Sequence, residues 1–221
     1  LHFDHNDNLF LQISGSKRFR IFEPLDAGNI YAYPVHHPLD RRAQVDLSGA
    51  NGGWPRLAGA REREVTVGPG DVLFLPAYWW HEVYTLPVPP GELVVSINFW
   101  FGKAPSHLPL PLPGSYQLEL VRQLEQLAAT ALISPRHLPA FMRAACAQMR
   151  AVEEATSASE VACWAVLDQL RPLGVDAKTW SGLYEYAASY AVLLLGPARA
   201  LSFLDDLCDP ARFECLRHRG V

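Results

Sequence analysis

The chain opens with two consecutive His-x-Asp triplets, which begin at His2 and at His5. Two histidines and one carboxylate form the facial ligand set of non-haem iron enzymes and leave three metal positions open. A single triplet of this kind is common by chance, so it gains meaning only if the fold adds a second histidine. The first question is therefore which triplet, if either, binds a metal.

The alternation of side chains along an extended strand favours the first triplet. Residues two apart on a strand point to the same face. The even-numbered face, from His2 to Gln12, is polar almost throughout, as expected for a water-accessible barrel interior. The odd-numbered face is apolar from Leu9 onward, which predicts packing against helices or a second sheet. The pattern indicates His2 and Asp4 as ligands.

A third ligand is offered by the stretch GPGDVLFLPAYWWHEV, in which His81 follows three aromatic residues. Aromatic neighbours restrict solvent, which suits a metal centre that generates a reactive oxidant. The remaining histidines lie in an irregular loop, a Pro-rich stretch or helical segments. We therefore predict a metal site made of His2, Asp4 and His81. This ligand set admits iron, manganese or zinc.

Composition excludes several classes of protein. The 221 residues carry a net charge of −4 without a basic block, which argues against electrostatically driven nucleic-acid binding. No run approaches the roughly 18 apolar residues of a membrane span. The four cysteines lie in the last third, at spacings that fit no zinc site, and the first residues do not resemble a signal peptide. We expect reduced thiols and a cytoplasmic or nuclear location.

The pattern of short apolar runs and turn residues changes to helical periodicity near residue 105. Strands followed by helices predict an α+β fold, and the short antiparallel strands predict a jelly-roll barrel. About eight strands close such a barrel, so we expect further barrel strands upstream of the six that we count. The predicted strands are Leu9–Ile13, Arg18–Phe22, Arg63–Val67, Val72–Leu75, His81–Leu86 and Leu93–Phe101. Helices are predicted over 116–132, 139–151, 157–170, 178–195 and 197–207.

Three longer stretches carry a more specific signal: YAYPVHHPLDRRAQVD, VTVGPGDVLFLPAYWWHEV and VSINFWFGKAP. They resemble the JmjC-like, cupin-type oxygenases that depend on Fe(II) and 2-oxoglutarate, in particular the asparaginyl hydroxylase that inhibits hypoxia-inducible factor. The resemblance implies a double-stranded β-helix followed by helices that form a homodimer. We therefore expect a catalytic barrel in residues 1–104, a linker and dimerisation helices in 105–152, and an additional helical segment in 153–221.

For the cofactors, the resemblance implies that the three predicted ligands hold Fe(II), with 2-oxoglutarate and O2 as cosubstrates. It implies that Lys17 pairs with the distal carboxylate of 2-oxoglutarate, while Asn8 and Asn98 approach the other end. A lysine is apt, because a dianionic cosubstrate inside a barrel needs a fixed cation. Without the resemblance, a solvated turn lysine and two strand-end asparagines would fit these positions equally well.

For the substrate, the resemblance implies that Trp100 lies beside the pocket and that Arg41 helps to hold the target side chain. Arg42 and Asn6 each stand where the family has a glutamine. An amide both donates and accepts hydrogen bonds, whereas a guanidinium only donates. Arg42 therefore suits a carboxylate-bearing target better than an asparagine, a hypothesis that rests on charge.

The predicted function is hydroxylation of an Asn, Asp or His side chain in a protein substrate by an Fe(II)- and 2-oxoglutarate-dependent enzyme. By analogy with the family, the substrate would be an ankyrin-repeat protein or a transcription factor. Two alternatives stay open. One is a non-catalytic JmjC-like module that binds a protein partner, and the other is a cupin metalloenzyme that acts on a small molecule without 2-oxoglutarate.

Overall fold

A computed structural model describes most of the first 132 residues and parts of the remainder. The described residues are 1–48, 54–102, 110–132, 134–138, 140–141, 171–173, 175–196, 199–200 and 202–203. The helices predicted over 139–151, 157–170 and 197–207 lie wholly or largely outside these residues, as do most of the Pro-rich linker and all four cysteines. Those features stay predictions.

All six predicted strands form, each within two residues of the predicted ends. They build two three-stranded antiparallel sheets, with strand orders β4-β1-β6 and β3-β2-β5. Closure of these sheets into a full barrel stays a prediction. The strands are β1 (Asp7–Ser14), β2 (Lys17–Phe22), β3 (Arg63–Val67), β4 (Val72–Leu75), β5 (Trp80–Thr85) and β6 (Val95–Phe101).

The two sheets pack through a small apolar core. Phe10 and Leu75 contribute from one sheet, and Phe19, Ile21 and Val67 contribute from the other. The rings of Phe10 and Phe19 meet edge to face with their centroids 4.9 Å apart, an arrangement worth about 0.5–1.5 kcal/mol beyond the buried area. Because side chains alternate along β2, the face that carries Phe19 and Ile21 into the core also carries the charged Lys17 inward.

The inner face of β1 is its even-numbered one, but it is buried rather than open to water. Asn8, Phe10 and Gln12 are all buried. β1 begins at Asp7, so His2 and Asp4 do not lie on this strand and owe their positions to other contacts.

The prediction that the odd-numbered face of β1 packs against other elements was wrong for the described residues. Leu9 is 38% exposed and Ile13 is 45% exposed. The inner surface of this sheet carries the polar side chains of Asn8, Gln12, Ser96 and Asn98 in addition to apolar core residues. The more apolar face of β1 is therefore not the face that points into the fold.

The chain divides into two compact units. The first comprises the described parts of 1–32, 41–108 and 114–118, and the second those of 33–40, 109–113 and 119–221. The helices are α1 (Gly114–Ala131) and α2 (Ala177–Leu195), close to two of the predicted segments. None of the helices in the described part of the chain combines the length and apolarity needed to cross a membrane.

Within the second unit, α1 holds the loop of residues 33–40. Arg122 forms a bidentate ion pair with Asp40. The carboxylate of Glu125, which is 1% exposed, accepts a hydrogen bond of 3.0 Å from the backbone N–H of Val35. A buried carboxylate is stabilised by such a bond. Helix α1 therefore fixes the loop through one ion pair and one hydrogen bond to the loop backbone.

Gly15 is required in the turn between β1 and β2. Its φ is +66°, and a Cβ placed there would lie 2.7 Å from Cγ2 of Val94. Substitution therefore meets both a strained backbone and a steric clash.

We expect Gly15→Ala to lower the free energy of unfolding by about 1–2 kcal/mol for the left-handed backbone and roughly 1–3 kcal/mol more for the clash. Gly70→Ala is the matched control, because Gly70 has a φ of +91° but open space around its Cβ position. Urea unfolding of both variants measures the difference. Equal losses would show that Val94 does not restrict the turn.

Candidate metal centre

Two reciprocal backbone hydrogen bonds bring His2 and His81 together. The N–H of His2 donates to the carbonyl of His81 at 3.0 Å, and the N–H of His81 donates to the carbonyl of His2 at 2.7 Å. Residues paired in this way lie directly opposite each other in an antiparallel ladder, with side chains on the same face. The two imidazole rings accordingly lie with their centroids 4.5 Å apart.

Asp4 is placed by the loop that precedes His81. The N–H of Tyr78 donates to the Asp4 carbonyl at 2.8 Å, and Tyr78 itself has a φ of +66°. One ligand atom from each of His2, Asp4 and His81 lies within 4.8 Å of the others. The structure thus brings the three predicted side chains close enough to share one ion.

Trp100 also contacts the carboxylate of Asp4. Its indole N–H donates to Oδ2 of Asp4 at 3.4 Å, while Nε2 of His81 lies 3.8 Å from the same oxygen. Hydrogen bonds to the outer atoms of a ligand orient it toward the metal. The family resemblance suggested Trp100 only as a wall of the substrate pocket, so this contact adds a second role.

Both histidines have the protonation state that a metal ligand needs. Nδ1 of His81 lies 3.0 Å from the carbonyl of Trp79. A carbonyl only accepts, so Nδ1 carries the proton and Nε2 is free to coordinate. Burial lowers the pKa of His81, and burial together with the neighbouring His81 ring lowers the pKa of His2 to about 4. The rings are therefore neutral at pH 7, the form that binds metal.

An aromatic cluster lies behind the first triplet. Phe3 and Trp80 are each 1% exposed, and their rings meet edge to face at 4.8 Å. The rings of Tyr78 and His5 lie 5.5 Å and 5.6 Å from that of Phe3. Such packing keeps water from the rear of the metal site.

The second triplet has structural contacts. His5 stacks obliquely near Tyr78, and Oδ1 of Asp7 accepts a hydrogen bond of 2.8 Å from the N–H of Ala77. These contacts fix the loop that carries Tyr78. The first triplet, and not the second, faces His81.

The predicted cosubstrate residues line the inner faces of the two sheets. Nζ of Lys17 donates to Oγ of Ser96 at 2.9 Å and lies 5.3 Å from the centre of the Phe10 ring. Because residues two apart on a strand point to the same face, Ser96 shares its face of β6 with Asn98.

The two predicted asparagines form a pair. Nδ2 of Asn8 donates to Oδ1 of Asn98 at 3.2 Å. Asn8 is 4% exposed, and its Oδ1 has no hydrogen-bond partner among the described residues. A buried amide oxygen without a partner is costly, which is expected where a ligand or an ordered water completes the network.

The predicted substrate residues lie beside the ligand segment, with exposed side chains. The N–H of Phe3 donates to the carbonyl of Arg41 at 3.1 Å, and Arg42 forms a β-bridge with His2. Arg41 has a φ of +67°. Asn6 is exposed just before β1, so the structure places it at the rim rather than against the metal ligands.

The donor set fits Fe(II) on the chemistry of the side chains. Two neutral imidazole nitrogens and one carboxylate oxygen lie within 4.8 Å of one another, and the ammonium group of Lys17 lies on the inner surface of the same unit. Such a set also binds manganese or zinc. The geometry therefore agrees with an iron site without selecting the metal.

Comparison with known proteins finds one matching domain family and relatives whose names indicate several activities. Residues 1–107 match the cupin-like domain family. The chain is 28% identical to lysine-specific demethylase JMJ31 of Arabidopsis thaliana, over 56% of this chain and 22% of the relative. It is 33% identical to human tRNA wybutosine-synthesizing protein 5 over 48% of this chain and 30% of the relative. It is 31% identical to lysine-specific demethylase 8 of Xenopus tropicalis, over 46% and 22%.

The chain spans between about a fifth and a third of the length of these curated relatives. The narrower resemblance to an asparaginyl hydroxylase stays a prediction. Residues 1–107 match the model of the cupin-like domain family, and the matched residues include both antiparallel sheets.

Proposed function

We propose that this chain carries the site of an Fe(II)- and 2-oxoglutarate-dependent hydroxylase that oxidises a side chain of a protein substrate. The observation that carries the proposal is the convergence of His2, Asp4 and His81 within 4.8 Å on a cupin-like scaffold. The names of two relatives, a demethylase and a tRNA-modifying protein, support oxidative modification of macromolecules without fixing the target.

The protein's part in this chemistry is to hold, orient and shield. His2, Asp4 and His81 would hold the iron, which together with 2-oxoglutarate and O2 supplies the oxidising power for C–H hydroxylation. Trp100 orients the carboxylate of Asp4. The packed rings of Phe3 and Trp80 exclude water behind the ligands, so that the oxidant meets the substrate and not solvent.

The inner polar side chains would bind 2-oxoglutarate along the barrel. Lys17 offers a cation for the distal carboxylate, and its present partner, the Ser96 hydroxyl, offers a second hydrogen bond. Near the other end, Asn98 accepts from Asn8 through its oxygen and keeps its own amide N–H groups for the cosubstrate. The network is arranged for a dianion with one end at the metal.

The exposed side chains of Arg41, Arg42, Asn6 and Trp100 would meet the substrate. Arg42 directly follows Arg41, which has a left-handed backbone conformation, and it forms a β-bridge with His2. Its side chain would therefore lie beside the metal ligands. A protein segment with a carboxylate side chain suits two guanidinium groups. A protein partner, a homodimer formed by the C-terminal helices and a cytoplasmic or nuclear location belong to this proposal.

We expect His2→Ala to abolish stoichiometric binding of Mn2+ or Co2+, because one of three ligands is lost. His5→Ala is the matched control from the second triplet, and it should bind metal as the wild type does. Calorimetric titration of each ion measures both. Equal binding by the wild type and His2→Ala would remove His2 from the ligand set.

We expect the wild type to convert 2-oxoglutarate to succinate when Fe(II) is added, and Asp4→Ala to lose this turnover by about 100-fold or more. Succinate formation measures both, with Glu92→Ala as an exposed acidic control. Binding of 2-oxoglutarate without turnover in the wild type would favour a non-catalytic module. Absence of binding would favour a cupin enzyme that does not use it.

We expect an Asp-containing peptide to be hydroxylated with a kcat/KM roughly tenfold above that of the matched Asn peptide, because charge-assisted hydrogen bonds are about twice as strong as neutral ones. Arg42→Gln should reverse the preference. Mass spectrometry of the two peptides measures hydroxylation. A clear preference of the wild type for Asn contradicts the role given to Arg42.

A further inference from the structure

The side chain of Gln12 joins two features of the fold from inside the sheet. It is completely buried, and its amide N–H groups donate to the carbonyls of Ser14 at 2.6 Å and Gly15 at 3.2 Å. Both acceptors belong to the end of β1 and the turn into β2. The backbone of Gln12 is fixed as well, because it exchanges hydrogen bonds of 2.8 Å and 3.0 Å with Gly70 and Asp71.

The turn needs this support because the ladder is irregular there. β1 pairs with β6 in register up to Gln12 and Ser96, and the register then shifts before Ser14 pairs with Val95. At such a bulge the backbone leaves the regular hydrogen-bond pattern. The amide of Gln12 supplies partners for the carbonyls of Ser14 and Gly15, which would otherwise depend on water.

Lys17 begins β2 immediately after this turn and reaches back to the strand beside Gln12. Its Nζ donates to the Ser96 hydroxyl at 2.9 Å, and Ser96 is the residue opposite Gln12 in β6. Gln12 is therefore connected to Lys17 in two ways. One connection runs along the chain through the turn, and the other runs across the sheet through Ser96. A shift of the turn would move the base of the lysine relative to its hydroxyl partner.

Packing alone does not explain an amide at this position. Oε1 of Gln12 is buried and has no hydrogen-bond partner among the described residues. An apolar side chain of equal length would avoid that unpaired acceptor. What an apolar side chain cannot do is donate to two carbonyls of the turn.

We propose that Gln12 is a positioning residue: it fixes the turn before Lys17 and thereby the distance of the Lys17 ammonium group from the metal ligands. That distance would select a 2-oxo acid with a carboxylate at the far end of a five-carbon chain. This inference rests on the proposed function and assigns to Gln12 a part in recognising the cosubstrate. Gln12 does not touch the metal ligands. Its effect falls on the distal carboxylate and not on the end that meets the metal.

The test compares two ligands on the full chain loaded with Mn2+. In Gln12→Met we expect the Kd of 2-oxoglutarate to rise by about tenfold, as for other residues that orient a binding group. The Kd of 2-oxopentanoate, which has the same chain length without the distal carboxylate, should change by less than about twofold. Titration calorimetry measures both, and Mn2+ affinity should stay as in the wild type.

A double-mutant cycle with Lys17→Met tests the route. In that background Gln12→Met should weaken 2-oxoglutarate binding by less than about twofold, because the group that Gln12 positions is already gone. Gln123→Met, an exposed glutamine on α1, is the control and should bind as the wild type. Where Gln12→Met does not fold, Gln12→Asn keeps the amide but is too short for both carbonyls, and it should show the same selective loss.

Wild-type affinity of Gln12→Met for 2-oxoglutarate would overturn the inference, as would equal losses for both ligands. Additive losses in the cycle would also overturn it. If the wild type itself binds no 2-oxoglutarate, the proposed function fails first, and the role of Gln12 falls with it.

Discussion

The pair of backbone hydrogen bonds between His2 and His81 is the constraint on which the candidate site depends. It holds two segments that are distant in the sequence in direct register, and it does so with groups that every residue possesses. The backbone register decides which side chains meet, and their chemical types decide whether they can bind a metal. Two imidazoles meet across the ladder, and Asp4 lies beside them because its backbone carbonyl accepts a hydrogen bond from the N–H of Tyr78.

Alternation along β6 separates polar side chains that point inward from apolar side chains on the outer surface. In β6, Ser96 and Asn98 point inward, while Ile97 and Phe99 are exposed among the described residues. This reverses the usual arrangement of a small sheet. The inner surface of this sheet thus carries polar groups beside the small apolar core of Phe10 and Phe19, through which the two sheets pack.

Much of the fold follows from local sequence signals. Turn residues such as those of Gly68–Asp71 bound the strands, so strand ends could be predicted closely. The three candidate ligands could be predicted because His2 and Asp4 lie on the polar face of an extended segment and His81 follows three aromatic residues. The even-numbered face of β1 was correctly predicted to point inward, but the exposure of its odd-numbered face could not be predicted, because that face is apolar and apolar faces are usually covered. The contact of Trp100 with Asp4 depends on cross-strand register, which no local pattern of residue types encodes. The side-chain hydrogen bonds of Gln12 depend on the conformation of the turn that follows β1.

The segment that begins at Leu1 has neighbours on both edges, with His81 on one and Arg41 and Arg42 on the other. Any ion that stiffens His2 also stiffens the backbone from which those two arginines project. By thermodynamic linkage such an effect would run in both directions, so a peptide bound to the two arginines would raise the affinity for the ion. If the proposed function holds, loading of metal and capture of substrate would be coupled through a ladder of three short segments.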